Sequence, residues 1–247
     1  MDRHGNFLME HTLQDFELVL RALQNVKEPH AWVGGQAVIV WANRYLSQAE
    51  IESTGLQVPL SSKDGDLKAN AIVAKFLAKE LGAKKQDYRL KDESRGMAWG
   101  LIVSLNGQQV LFDILEKLPG VDDPVYVHTV SVGPRENRLT AKVVDPVSLL
   151  INKADVWRRE KDKQAAPNRA VRHDREHLTM LGMLLPKYLI ELEGWQKVHG
   201  AASLERQVDR LRSFLDSNPE LPGSIGDDLR RALTDGGHHG GSSPLSL

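Results

Sequence analysis

Ser61-Ser62-Lys63-Asp64-Gly65-Asp66-Leu67 decides how this chain is read. Two aspartates flank a single residue, so on an extended segment their carboxylates project to the same side. Upstream, the short apolar stretch His30-Ala31-Trp32-Val33 stops at Gly34-Gly35. Downstream, a third aspartate, Asp113, sits inside Val110-Leu111-Phe112-Asp113-Ile114-Leu115. An aspartate among leucines is costly to bury unless it is paired or bound to a cation. Three carboxylates brought together repel one another unless a cation lies between them. Mg²⁺ suits such a set, since it takes oxygen ligands from a few carboxylates plus substrate phosphates.

Working outward, residues Thr12 to Asn25 read as an amphipathic helix, with Leu13, Phe16, Leu20 and Leu23 at helical spacing. A strand at His30–Val33 and a helix over Gln36–Leu46 follow. Ser47 to Val58 reads as a polar connection. After the Asp-x-Asp loop, the spacing of Ile72, Val73, Phe76, Leu77 and Leu81 predicts a helix over Lys68–Leu81, ended by Gly82. Lys84–Leu90 reads as a strand. Met97–Leu105 and Gln108–Leu115 flank Asn106-Gly107, a strong hairpin signal. On the second arm Val110, Phe112 and Ile114 share one face, while Leu111, Asp113 and Leu115 share the other. Val125–Val132 and Arg138–Val144 are further strands. Past Asp145-Pro146 the pattern is helical throughout: Val147–Lys161, Asn168–Leu192 with Pro186 kinking it, Leu204–Leu215 and Ile225–Leu233. The Gly/Ser/His-rich end reads as a disordered tail. The expectation is an α+β fold in three parts: a mixed-sheet core flanked by helices over 1–145, a helical subdomain over 146–235 and a tail over 236–247.

Composition narrows the function classes. At 247 residues the chain has room for a core and an appendage. With 41% apolar and 26% charged residues it resembles an ordinary soluble globular protein. A formal net charge of −1 provides no global cationic field for nucleic acid and leaves only local patches, such as Arg158–Lys163. The absence of cysteine excludes disulfides, thiolate-held zinc and thiol nucleophiles. No apolar run approaches a membrane span, and MDRHGNFLMEH lacks a signal-peptide core, so a cytoplasmic protein is expected.

In that order, the front half resembles the nucleotidyltransferase fold of the DNA polymerase β superfamily, and within it the bacterial abortive-infection and toxin-type nucleotidyltransferases. The likeness rests on Gly34, Gly35, Gln36 and Ala37; on Ser62, Lys63, Asp64, Gly65 and Asp66; and on the apolar strand carrying Asp113. It extends more weakly through Asp145-Pro146 to Asn152-Lys153, and through Lys161-Asp162, Arg172, Asp174 and His177, covering residues 10 to 185 in all. Two departures stand out. Gly65 replaces an apolar residue between the aspartates, which should loosen the strand aiming them, and the segment between Gly35 and Asp64 is long.

The resemblance implies transfer of NMP from an NTP to an acceptor (tRNA, protein or small molecule), with a role in toxicity or phage defence as the nearest analogy. Asp64, Asp66 and Asp113 would be the catalytic metal ligands, Asp64 and Asp66 for metal shared with the triphosphate and Asp113 for the catalytic metal. The cofactor would be Mg²⁺, with Mn²⁺ as a substitute. Gly34 and Gly35 would admit the phosphates at a helix start, with Lys63 and Lys153 as cationic contacts. Asp174 and His177, at i and i+3, share a helix face and serve either a structural network or a nucleotide. Two other readings stand beside this one: a catalytically silent binding module or antitoxin-like partner, and an enzyme modifying a small molecule. In the plainest alternative, the two aspartates are loop residues and Asp66 caps the following helix. The sequence is silent on oligomeric state and on the identity of the NTP.

Overall fold

The Asn106-Gly107 signal marks a long antiparallel hairpin around which half of the sheet is organised. The computed structural model describes residues 13–56, 60, 64–87, 97–105, 107–122, 125–132, 138–160, 173–199, 203–218, 220–222 and 224–235. In chain order, a 3₁₀ turn at Leu13–Phe16 leads into α1 (Glu17–Gln24), β1 (His30–Trp32), α2 (Gly34–Tyr45), α3 (Gln48–Glu52), β2 (Gly65–Ala69) and α4 (Ala71–Glu80). Strands β3 (Lys84–Asp87), β4 (Met97–Leu105), β5 (Gln108–Leu115), β6 (Val127–Val132) and β7 (Leu139–Val144) come next. Helices α5 (Pro146–Glu160), α6 (Asp174–His199), α7 (Ser203–Ser217) and α8 (Ile225–Asp235) close the described chain. The fold is therefore mixed α+β, with its strands first and its long helices behind.

The strands form one sheet in the order β3-β4-β5-β2-β1-β7-β6. Pairing is parallel between β2 and β5 and between β1 and β7, and antiparallel elsewhere. Alternation then decides what each face holds. Gly65, Leu67, Phe112 and Ile114 are buried, while Asp66, Lys68, Leu111, Asp113 and Leu115 are only partly so. On the buried face Phe16, Trp32 and Phe112 form a ring cluster with centroids 5.3 to 6.0 Å apart. Such aromatic pairs contribute about 0.5–1.5 kcal/mol each beyond the area they bury.

Three elements differ from expectation, two of them through a polar side chain that starts a helix. The helix expected from Lys68 starts at Ala71, because Asn70 accepts hydrogen bonds from the Ile72 and Val73 amides (3.0 and 3.1 Å) and caps it there. Lys68 and Ala69 instead extend β2, so the cap of α4 is Asn70 and not Asp66. The polar connection after Leu46 contains α3, started by a reciprocal capping box between Ser47 and Glu50. The helix carrying Pro186 continues to His199. Trp32, Trp41 and Trp99 are core, and Trp157 packs against it partly buried. Among the described residues no helix is long and apolar enough to cross a membrane. The tail at 236–247, Asn106, Lys63, Arg172 and the Lys161-Asp162 pair lie outside the described residues.

Candidate functional site

Strand register brings two of the three expected carboxylates side by side. In the parallel pair β2–β5, Asp66 stands opposite Asp113 and Gly65 opposite Phe112. Neighbouring strands run about 4.8 Å apart, so these aspartates occupy adjacent positions on the partly exposed face. Asp64 lies exposed at the bend that enters β2, two residues before Asp66. Among the described residues, no three His, Asp or Glu side chains are grouped tightly enough to hold a metal ion as placed. The donor set still matches Mg²⁺, which takes one or two carboxylates plus substrate phosphates rather than a full protein cage.

Gly34 and Asp66 are fitted to each other. The Val33 amide donates to the Asp66 carbonyl at 3.0 Å, which ties the end of β1 to the start of β2. Gly34 then takes φ +64°, and a Cβ there would overlap Asp66 Oδ2 and come within 2.6 Å of its Cγ. The Asp66 carboxylate therefore rests against the backbone at the start of α2, whose N-cap, Val33, supplies no side-chain cap. Gly34 and Gly35 are both buried there. A helix start of this kind presents N–H groups and positive potential to an anion.

Gly65 does not loosen the strand. A Cβ at this position would overlap Cδ2 and Cε2 of Phe112 and sit 3.0 Å from Phe16 Cε1. The Phe112 ring fills the space that an apolar side chain between the aspartates would take. Gly65 and Asp66 stay in register with β5, and Leu67–Ala69 pair with β1.

The second half of the motif forms a buried polar network. Lys153 Nζ lies 3.2 Å from Asp174 Oδ1, joining α5 to α6 in an ion pair whose side chains are 10% and 2% exposed. The two residues, singled out separately in the sequence, neutralise each other, which is how buried charges are tolerated. His177 is buried one turn further along α6. At the start of α5, buried Asp145 accepts from the Ser148 amide (2.8 Å) and hydroxyl (2.6 Å), with Pro146 at the first helical position. Arg210 of α7 donates to the Ser148 hydroxyl at 3.0 Å.

Two cavities flank this framework. One, of about 840 Å³, is lined by Lys68, Lys117 and Lys142, together with Ala31 and Thr129. Lys68 follows Asp66 by two residues on the same strand face, so this one cation stands near the carboxylates, while the cavity itself lies further along β2 and also holds Glu116. The other, of about 450 Å³, lies between β6, α2, α6 and α7. Around it Trp41, Tyr45, His128 and Tyr188 pack with ring centroids 5.3 to 6.3 Å apart. Trp41 Nε1 donates to the Val144 carbonyl (2.8 Å), and His128 Nε2 is 3.0 Å from the Tyr188 hydroxyl. An Arg44–Glu191 ion pair stands at its rim.

No family model matches the sequence, and comparisons with curated proteins and solved structures found no match. The site is therefore read from its own geometry. The aromatic cavity was missed in the sequence because its residues come from four distant segments; only Trp41 and Tyr45, four apart on one helix, hint at it.

Burial holds the His128 imidazole below its ordinary value of 6.5, against the pull of Asp145 and Glu191 and with a smaller push from Arg44. Burial, with the Glu191 contact, pushes the Tyr45 phenol up to about 12. The His128 shift fixes a sign. The unfolded chain binds a proton that the folded chain refuses, so this stabilisation is complete above pH 6.5 and is lost as pH falls below it. Thermal unfolding followed from about pH 7.5 to 5 should show a declining Tm. His128→Phe, which keeps a ring and removes the titration, should make the decline shallower, the rest belonging to His30, whose imidazole burial likewise holds below 6.5; an unchanged slope would mean that His128 contributes nothing to it.

Proposed function

We propose that the chain is a Mg²⁺-dependent nucleotidyltransferase that moves NMP from an NTP to an acceptor. The observation that carries this reading is the Asp66–Asp113 register beside Gly34, where the Asp66 carboxylate rests at the start of α2. Bound divalent metal would neutralise charge on the phosphoryl oxygens and polarise both attacking and leaving oxygens. Asp66 and Asp113, with Asp64 from the bend, would hold it. The amides at Gly34 and Gly35 would bind and orient the triphosphate. Asp113 would receive the proton of the acceptor hydroxyl as its oxygen bonds to the α-phosphorus and pyrophosphate departs. Lys153 supports the site as the partner of Asp174 more readily than as a phosphate contact.

The cavity that Lys68 shares with Lys117 and Lys142, entered two residues along β2 from Asp66, favours an acceptor that itself carries phosphate, tRNA being one, over a neutral small molecule. Gly65, the feature that favours a silent binding module, is compensated by Phe112 and no longer argues against catalysis. The likeness to toxin and phage-defence enzymes rests on the sequence motifs alone. The test is incubation with each α-labelled NTP, Mg²⁺ and, in turn, tRNA, total protein and small-molecule extract. Label should pass to an acceptor and disappear when EDTA is added. No transfer from any NTP, or transfer that survives EDTA, overturns the proposal.

A further inference from the structure

The carboxylate site does not account for Gln207. This residue lies on α7, lines the aromatic cavity and is 1% exposed. Neither Oε1 nor Nε2 of its carboxamide has a hydrogen-bond partner. Buried amides are almost always satisfied, and one that is not calls for an explanation. Nε2 can donate twice and Oε1 can accept twice, so Gln207 offers an unused donor and acceptor side by side. The walls around it are ring surfaces: Tyr126, partly exposed, borders the cavity beside Trp41, Tyr45, His128 and Tyr188. The Arg210 guanidinium stands 5.9 Å from the Tyr126 ring centre, and its Nη1 is likewise buried without a partner. An apolar, ring-lined cavity of a few hundred cubic ångströms with one or two convergent polar groups is the ordinary form of a small-molecule site.

We infer that this cavity binds a nucleoside through its base, with the aromatic walls packing on the ring and the Gln207 carboxamide, shut away from the unliganded cavity, turning to read a donor–acceptor edge. A saturated amide would satisfy Gln207 but leave the ring surfaces poorly matched, whereas a heterocycle uses both. Among the bases, adenine presents the N6 donor beside the N7 acceptor that a glutamine carboxamide meets with two bonds, so adenosine is the nucleoside expected to bind most tightly. The inference stands apart from the transferase reading, since it involves neither the carboxylates nor a metal. One element joins the two sites: α2 begins against Asp66 and reaches Trp41 seven residues later, about 10 Å along its axis.

Isothermal titration of the metal-free protein with adenosine, guanosine, cytidine and uridine tests this, beside Gln207→Met, which keeps volume and flexibility. Wild type should bind adenosine most tightly, and Gln207→Met should bind it at least about tenfold more weakly, the effect of losing two hydrogen bonds. The unliganded variant should melt at or above the wild-type temperature, because an unsatisfied amide has been removed. A thermal shift of wild type by adenosine, absent with ribose, gives a second reading that needs no variant. Binding of no nucleoside, or equal binding by Gln207→Met, overturns the inference. Because the assay contains neither Mg²⁺ nor NTP, its failure leaves the transferase proposal standing, and the converse holds too.

Discussion

Gly65→Val should lower stability by about 3 kcal/mol or more, a fall in Tm of roughly 6–12 °C for a chain of this size. A single Cβ at position 65 already overlaps two carbons of the Phe112 ring and crowds Phe16. Phe112 is fully buried and held edge-on by Trp32 at 5.3 Å, so it cannot swing aside without opening the aromatic cluster. The backbone is held as well, since Gly65 is in register with Phe112 of β5 and the Asp66 carbonyl accepts from the Val33 amide. Denaturant unfolding of Gly65→Ala, Phe112→Leu and the double variant would show whether the two positions share one volume. The double variant should be less destabilised than the sum of the singles. Simple additivity, or a Gly65→Val protein within about 0.5 kcal/mol of wild type, would mean that the ring does not occupy that space.

The same pair shows what the sequence could and could not convey. Hydrophobic alternation along Val110–Leu115 correctly divided core from partly exposed face and put Asp113 on the latter, because side-chain direction in a strand follows from spacing alone. The hairpin was legible from Asn106-Gly107, which specifies its own turn. The register of β2 on β5 was not, because parallel pairing joins segments some forty residues apart and no local rule relates them. That register is what sets Asp66 opposite Asp113, and it also turns Gly65 from an apparent defect into the partner of Phe112. Helix starts were misjudged where a polar residue outweighed apolar periodicity, as Asn70 does for α4 and Ser47 for α3. Lys153 and Asp174 were each visible as charged residues on helices, but their pairing depends on the packing of α5 against α6. Gln207 carried no signal at all. A glutamine on an amphipathic helix is ordinarily exposed, and only the closure of α7 over β6 and α2 buries it.

If the carboxylates perform nucleotidyl transfer, Asp66→Asn should reduce the rate roughly 1,000-fold, about 4 kcal/mol of transition-state stabilisation. Gly34→Ala should cost about 100-fold by a different route, since a displacement of about 1 Å in a reacting group has effects of that size. Alanine at φ +64° bears left-handed strain of about 1–2 kcal/mol, and its methyl group would drive the Asp66 carboxylate away from the start of α2. Stability separates the two causes. In Gly34→Ala the loss combines backbone strain with the collision; in Gly34→Ala on an Asp66→Ala background, the overlaps with Oδ2 and Cγ vanish, leaving the strain and a 2.8 Å approach to the Cβ of residue 66. A double-mutant cycle in urea should therefore return a favourable coupling between positions 34 and 66. Zero coupling would mean that Gly34 serves the helix start alone and that Asp66 does not lean on it. Full transfer by Asp66→Asn would remove this carboxylate from the reaction altogether, whatever Gly34 contributes to the fold.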